Sequence, residues 1–504
     1  MDNCNIRSVA IIGGGVVGWM SAAFLSAMLG PSIVVTLIDL GEDNDVSFDE
    51  GSIPPLKAFH HQLGINEADL IAKTQGSMKL GTQFVNWGAL GNRYFHPHGA
   101  YGAEFDAVAL HQWWLKARAL NPDTPPLDDF SMAWGLANDG RFSHPSPDRR
   151  LIHSTFDYAY HLDAQLYCDY LANYARLKGV IYIESALNDV ELDGDTGFVR
   201  RLNLAQDRTA EADLFIDCSG SKRRLIGDAL GTEFDDWSNY LPCDRMMTVS
   251  CAKGGAFNPY TRITARDAGW QWRIPLQHRT SMGYVFASQF MTDEDARASL
   301  MDNLDGRSLN DPVVKSFVNG RAKQSFIKNV VALGGAAGFL EPLEATCLHM
   351  VQSGLSRLLA LWPHRNCNPL ITREYNALTA REWDLARDFL ILHYKATTRT
   401  DSLLWRACHS MDVPESLEVR MQHWLSSGRL VSPGSEVFQS ASWLSVFVGQ
   451  GLIPTAWDPL ADARADRVDY VARLTGIKRV IDETVAQLPL HRDWIDKHAR
   501  GAKT

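Results

Sequence analysis

Three glycines and an acid carry the most definite chemistry in this chain. Gly13, Gly15 and Gly18 stand in the spacing GxGxxG, and Asp39 follows about 20 residues later. In such a pattern Gly13 serves a tight turn, Gly15 lets a pyrophosphate approach the backbone, and Gly18 lets a helix pack closely on a strand. A carboxylate at the Asp39 position is placed to accept hydrogen bonds from the adenosine ribose hydroxyls. A second glycine-rich turn, Gly334-Gly335-Ala336-Ala337-Gly338, follows the apolar run Asn329–Leu333. It can set a flavin ring and its ribityl chain beside the start of another helix. Trp270 and Trp272, two apart on a strand, point to one side and offer a flat apolar shield.

These residues need elements to hold them. Ser8–Ile12 reads as a strand, Trp19–Leu29 as a helix, and Ile33–Asp39 as a second buried strand ending in the acid. The complete strand, GxGxxG, helix, strand and acid predict a dinucleotide site at the helix N-terminus. That unit alone leaves FAD and NAD open. A single fingerprint at the start of the chain favours FAD. So do strands at Arg201–Leu204 and Ala212–Asp217 leading into Cys218-Ser219-Gly220, and the later glycine turn. From about Pro363 onward helical patterning dominates, as in Glu374–Lys395 and Ala463–Gln487, with the charges of Arg464–Asp469 read as a solvated helix face. The expected fold is α/β: an FAD-binding Rossmann-like part with an added substrate sheet, and a mostly helical C-terminal region. The expected division is 1–362 and 363–504.

Composition narrows the function classes. The chain has 504 residues, 45% of them hydrophobic, and a net charge of −10, which argues against a nucleic-acid partner. The N-terminal residues Met1–Arg7 lack a signal-peptide layout, and no apolar run is long enough to span a bilayer. Eight cysteines are scattered without a CxxC pair. These features predict a cytoplasmic protein without a membrane or metal site.

Several segments go beyond generic FAD binding. They are Gly76-Ser77-Met78-Lys79-Leu80-Gly81-Thr82-Gln83-Phe84 with Asn86-Trp87, the WxWxIP run Trp270–Pro275, and Phe339-Leu340-Glu341-Pro342-Leu343-Glu344-Ala345-Thr346. Together they resemble the flavin-dependent tryptophan halogenase family, and the resemblance extends over nearly the whole chain. It implies reduced FAD supplied by a separate flavin reductase, which with oxygen and chloride or bromide gives hypohalous acid. That acid then travels to a lysine beside an electron-rich arene such as indole. Lys79 matches that lysine: an ammonium can hydrogen-bond hypohalous acid and sharpen its electrophilicity. Glu344 matches the second catalytic residue, a carboxylate that can take the proton from the cationic arene.

The same resemblance assigns the remaining roles. The backbone N–H groups of Thr346 and Cys347 match the halide site, with Leu348 and Gly335 beside the flavin. Glu50 and Gly51 match a strap joining the flavin and substrate regions. Trp270 and Trp272 match residues that shield the activated flavin from substrate. His96 and Trp443 match an aromatic wall around the indole, and His98 stands where the resemblance has a further aromatic residue of that wall.

The sequence also departs from its relatives. Where they usually read PLESTG, this chain reads Pro342-Leu343-Glu344-Ala345-Thr346-Cys347, a change that points towards bromide. The stretch Ser427–Glu436 is short and has no Tyr, whereas relatives acting on free tryptophan close the site with a Tyr- and Glu-bearing lid. A more open site for indole, a substituted indole or a larger indole-bearing molecule is expected. Two other readings stay open from sequence: a flavin-dependent hydroxylase, and a non-catalytic FAD-binding protein.

Overall fold

The computed structural model describes residues 4–41, 50–431, 434 and 436–499. Met1–Asn3, part of the N-terminal reading, and Ser432, Pro433 and Ser435 of the short lid stretch lie outside the described residues. The chain forms two compact units, each drawn from three stretches. The first comprises Met1–Gln75, Leu162–Asn239 and Lys315–Asp384, and the second Gly76–His161, Tyr240–Val314 and Leu385–Thr504. A boundary at residue 362 falls inside the last stretch of the first unit.

The first unit is organised by a six-stranded sheet in the order Phe326–Ile327, Val330–Ala332, Leu214–Asp217, Ser8–Ile12, Val34–Asp39, Ile181–Glu184. All pairs are parallel except the edge pair of Phe326–Ile327 with Val330–Ala332. Ser8–Ile12 lies inside this sheet, so its run of apolar residues is covered on both faces. The helix Val16–Leu29 that follows is buried all round its first ten residues, where the one polar side chain, Ser21, donates its hydroxyl to the Val17 carbonyl.

The second unit is organised by a seven-stranded sheet in the order Val313–Ser316, Arg245–Cys251, Thr280–Phe286, Gly269–Pro275, Thr261–Arg266, Gly81–Val85, Arg93–Pro97. Gly269–Pro275 and Thr280–Phe286 are buried along their whole length. Helix Asp293–Met301 packs Ala296 and Leu300 onto Met282, Tyr284 and Phe286. Phe84, Trp87, His393, Tyr394 and Trp405 form a ring-to-ring cluster with centroids 4.9 to 6.0 Å apart. The short strand Ser77–Lys79 leaves this sheet and pairs instead with Ala159–His161.

The C-terminal third is helical, as expected, with one correction. Ala463–Gln487 is not one helix: Pro459–Arg464 ends in a turn, and a new helix runs Tyr470–Ala486. The break has a local cause, because the Asp469 carboxylate accepts the Ala472 N–H and caps the second helix. The charges of Arg464–Asp469 therefore occupy mostly a turn, not a helix face. Among the described residues no helix is long and apolar enough to cross a membrane.

Candidate active site

In the first unit, the turn after Ser8–Ile12 has no room for side chains at its glycines. A Cβ on Gly13 would meet the Cys218 carbonyl oxygen at 2.3 Å, and one on Gly18 the Gly13 carbonyl oxygen at 1.8 Å. A Cβ on Gly14 would meet the Asp39 carboxylate at 2.1 Å, so the acid lies directly against the turn. The Asp39 carboxylate also accepts the Tyr182 hydroxyl and the Gly41 N–H, both at 3.1 Å. Gly15 is the N-cap of Val16–Leu29, where no side chain supplies a cap and the first turn holds no acid. A helix end without a protein cap, facing a bare backbone turn with a carboxylate beside it, fits a dinucleotide pyrophosphate and ribose.

The second glycine turn belongs to the same place. Gly334 has φ 58°, and a Cβ there would meet the Val17 side chain at 2.8 Å. A cavity is lined by Val17, Gly334, Gly335, Leu340, Thr346 and Cys347, among others. Pro342–Glu344 forms a 3-10 turn, Ala345 takes the left-handed conformation, and Thr346 is the N-cap of helix Cys347–Ala360. That helix also starts without a side-chain cap or an acid in its first turn, so its end suits an anion. Leu348 is buried in the first helical turn.

Glu344 is 2% exposed, and Glu341, which sequence reasoning did not single out, is fully buried three residues before it. Glu50 is buried with φ 63°, and Gly51 after it is buried too. Its carboxylate accepts the Ala164 N–H at 3.2 Å, at the start of helix Ala164–Leu177.

The second unit holds the lysine. Lys79 is 1% exposed, at the end of Ser77–Lys79. Gly81 makes the strand change sheets, since a Cβ there would meet the His96 carbonyl oxygen at 2.2 Å. The strand is anchored from both sides by histidines that sequence reasoning did not assign. The Ser77 hydroxyl donates to the Pro275 carbonyl at 2.7 Å, so His161 Nδ1–H must donate to Ser77 Oγ at 3.0 Å. His161 Nε2 then accepts the Thr261 hydroxyl at 2.9 Å. Burial, and next the positive charge of Lys79, hold the His161 pKa well below its ordinary value, so this imidazole stays neutral.

On the backbone side, Met78 N–H donates to His491 Nε2 at 3.1 Å, and His491 Nδ1–H donates to the Phe257 carbonyl at 3.0 Å. Burial lowers the His491 pKa to about 4. His491 lies 413 residues from Met78, so no local pattern could reveal the pair.

The aromatic wall is built on Arg93–Pro97. His98 N–H donates to the Leu80 carbonyl at 2.8 Å, which ties the wall to the residue after Lys79. His96 is buried, with its ring 5.7 Å from Phe389, 6.2 Å from Phe438 and 6.3 Å from His98. Trp443 stands behind these rings: Phe389 lies 5.0 Å from it and stacks on Phe438 at 4.0 Å. Phe389 and Phe438, which the sequence pattern does not single out, thus join His96 and Trp443 in one aromatic cluster.

Arg420 binds Glu436 through both oxygens, at 2.9 and 3.0 Å, with its guanidinium 3.9 Å over the Trp443 ring. The acid of the short lid stretch is thereby held by an internal cation. Trp270 donates to the Tyr394 hydroxyl at 3.1 Å, and the Trp272 ring lies over Gly283, where a Cβ would meet it at 2.0 Å. Both rings are buried on one strand, with centroids 6.0 Å apart.

A family described as tryptophan halogenase matches residues 8–466. The chain is similar to a protein named tryptophan 7-halogenase KtzQ from Kutzneria sp. (strain 744), at 30% identity over 99% of this chain and 100% of that one. Its structure is similar to BrvH, a flavin-dependent halogenase from Brevundimonas sp. BAL3, with a TM-score of 0.93 and 41% identity. That likeness covers 98% of this chain and 100% of the other. Xcc4156, a flavin-dependent halogenase from Xanthomonas campestris, gives a TM-score of 0.93 at 38% identity, covering 98% of each chain.

Proposed function

The chain belongs to the tryptophan halogenase family of flavin-dependent enzymes, and we propose that it halogenates an electron-rich arene of the indole type through Lys79 and Glu344. FAD is the cofactor on this reading, held by Gly13, Gly15, Gly18, Asp39, Glu50, Gly51, Gly335 and Leu348. Bound in reduced form from a flavin reductase, with oxygen and chloride or bromide, it supplies hypohalous acid. The N–H groups of Thr346 and Cys347, at an uncapped helix start, hold the halide.

Lys79 donates a hydrogen bond to the oxygen of hypohalous acid, which draws electrons from the halogen. The arene carbon attacks the halogen and forms a carbon–halogen bond as the oxygen–halogen bond breaks; the departing hydroxide takes a proton from the Lys79 ammonium and leaves as water. Glu344 accepts the proton from the halogenated carbon, restoring aromaticity. His96, His98 and Trp443, with Phe389 and Phe438, wall the ring, while Trp270 and Trp272 shield the cofactor from substrate. The observation that carries this reading is the burial of Lys79 on a strand pinned by two neutral histidines, in a chain whose full length aligns with halogenases. An ordinary lysine is not buried in this way.

The relative named above is a tryptophan halogenase. Here the acid of the short lid stretch is paired with Arg420, which favours indole or an indole-bearing molecule over the free amino acid. The test is incubation of an arene panel with bromide, FAD and a flavin reductase, read by mass spectrometry. The bromine isotope doublet is expected with indole, and Lys79→Ala is expected to lower product by at least about 100-fold while keeping FAD affinity. Product from the Lys79→Ala variant at the wild-type rate overturns the role of Lys79.

A further inference from the structure

The second unit carries a groove of about 610 Å³ that the proposed halogenation chemistry does not use. Its lining includes five arginines, Arg149, Arg150, Arg467, Arg473 and Arg479, against one acid, Asp469. All five are exposed. Arg150 is paired with Asp148 at 2.7 Å, and Arg479 lies 3.9 Å from Glu483. The guanidinium groups of Arg149, Arg467 and Arg473 have no carboxylate partner among the described residues. Asp469 is itself engaged, capping the helix Tyr470–Ala486. In a chain of net charge −10, three arginines without an acid partner facing the single carboxylate of Asp469 make a local positive field. The same lining includes the apolar side chains of Leu151, Ile152 and Ile477.

A second groove of about 480 Å³ lies next along the chain, and the loop Ala100–Glu104 contributes to both. Ala103 lines the arginine groove, whereas Tyr101 and Gly102 line the second. Tyr101 in turn donates to the Phe95 carbonyl at 3.2 Å, on the strand that carries His96. One loop thus links both grooves to the strand that carries His96.

We propose that the arginine groove holds an acidic segment of a peptide substrate whose tryptophan ring is the arene halogenated. This inference rests on the halogenase reading and names its substrate class. Exposed guanidinium–carboxylate pairs are individually weak, so useful binding needs several at once. A run of acidic residues interspersed with apolar ones meets three separated arginines and the apolar lining together. A single small anion meets one, and no buried cation waits for it. A concave groove also suits a chain better than a flat bilayer.

The probe is a fluorescein-labelled peptide with one tryptophan followed by a run of glutamates, and its glutamine counterpart. Fluorescence anisotropy is expected to show the acidic peptide binding at least about tenfold tighter at low salt, with the difference shrinking as salt screens it. The double variant Arg467→Glu/Arg473→Glu is expected to lose that preference while brominating free indole within about twofold of wild type, since both side chains are exposed and pair with no acid. Equal affinity of the wild type for the two peptides overturns the proposal, as does a preference that survives in the double variant. Stronger binding to phosphatidylserine vesicles than to the acidic peptide also overturns it and assigns the groove to a lipid surface. If neither protein brominates indole, the halogenase reading fails, while the anisotropy result still decides the groove.

Discussion

At the residue scale, the site is defined by polar groups in dry surroundings. Glu344 is as buried as Lys79 and has a local backbone, a 3-10 turn closed by a left-handed Ala345, that fixes its position. Glu344→Gln keeps the shape and removes the base proposed for the reaction; bromination of indole is expected to slow by about 100-fold or more, with FAD binding unchanged, in a reductase-coupled assay. Trp272 depends on the missing side chain of Gly283. Gly283→Ala places a methyl group in the indole ring and is expected to cost about 1–3 kcal/mol, read as a lower urea midpoint. The glycine turn with Asp39 against it, and the tryptophan pair on one strand, were legible in the sequence because each placement is set within one strand or one strand–helix–strand unit. Lys79 and Glu344 were legible only by resemblance, since a lone lysine or glutamate carries no periodicity. Glu341, Phe389 and Phe438 gave no such sign.

At the element scale, the strand Ser77–Lys79 is too short to hold itself, and histidines complete it. His491 has a sharp consequence for acid stability. Its unfolded pKa is 6.5 and its folded pKa is about 4. As pH falls below 6.5 the unfolded chain takes up a proton that the folded one refuses, so stability declines until about pH 4 and then levels. The difference is worth about 3 kcal/mol. His491→Phe is expected to be less stable at neutral pH and to show a flatter decline from pH 7 to 4.5, measured by urea unfolding. Helix positions are readable from periodicity, but the break before Tyr470 is not, because an acid in a charged run looks the same whether it caps a helix, as Asp469 does, or faces solvent. The departure of Ser77–Lys79 from the main sheet was likewise hidden, since its partner Ala159–His161 is some eighty residues away.

At the scale of the whole molecule, the sequence pattern predicted two consecutive parts, and the chain instead weaves two units from alternating stretches. Composition shifts mark boundaries only when a unit is one continuous stretch. A fragment 1–362 would lose residues 363–384 of the first unit and all of 385–504 of the second. It is expected to give no cooperative thermal transition by circular dichroism and no FAD binding, whereas the full chain gives both. A fragment that melts sharply and binds FAD would show that the helices after 362 are dispensable for the first unit.

The bond between Met78 and His491 also sets an order in time. A ribosome adds residues at about 5–20 per second, and 413 of them separate the two partners. The nascent chain must wait tens of seconds after Met78 emerges before its strand can be clasped. Until residue 491 is made, the lysine beside it lacks one of its two histidine anchors. On the proposed chemistry, an unfinished polypeptide would thus be spared a fully formed site for a corrosive oxidant.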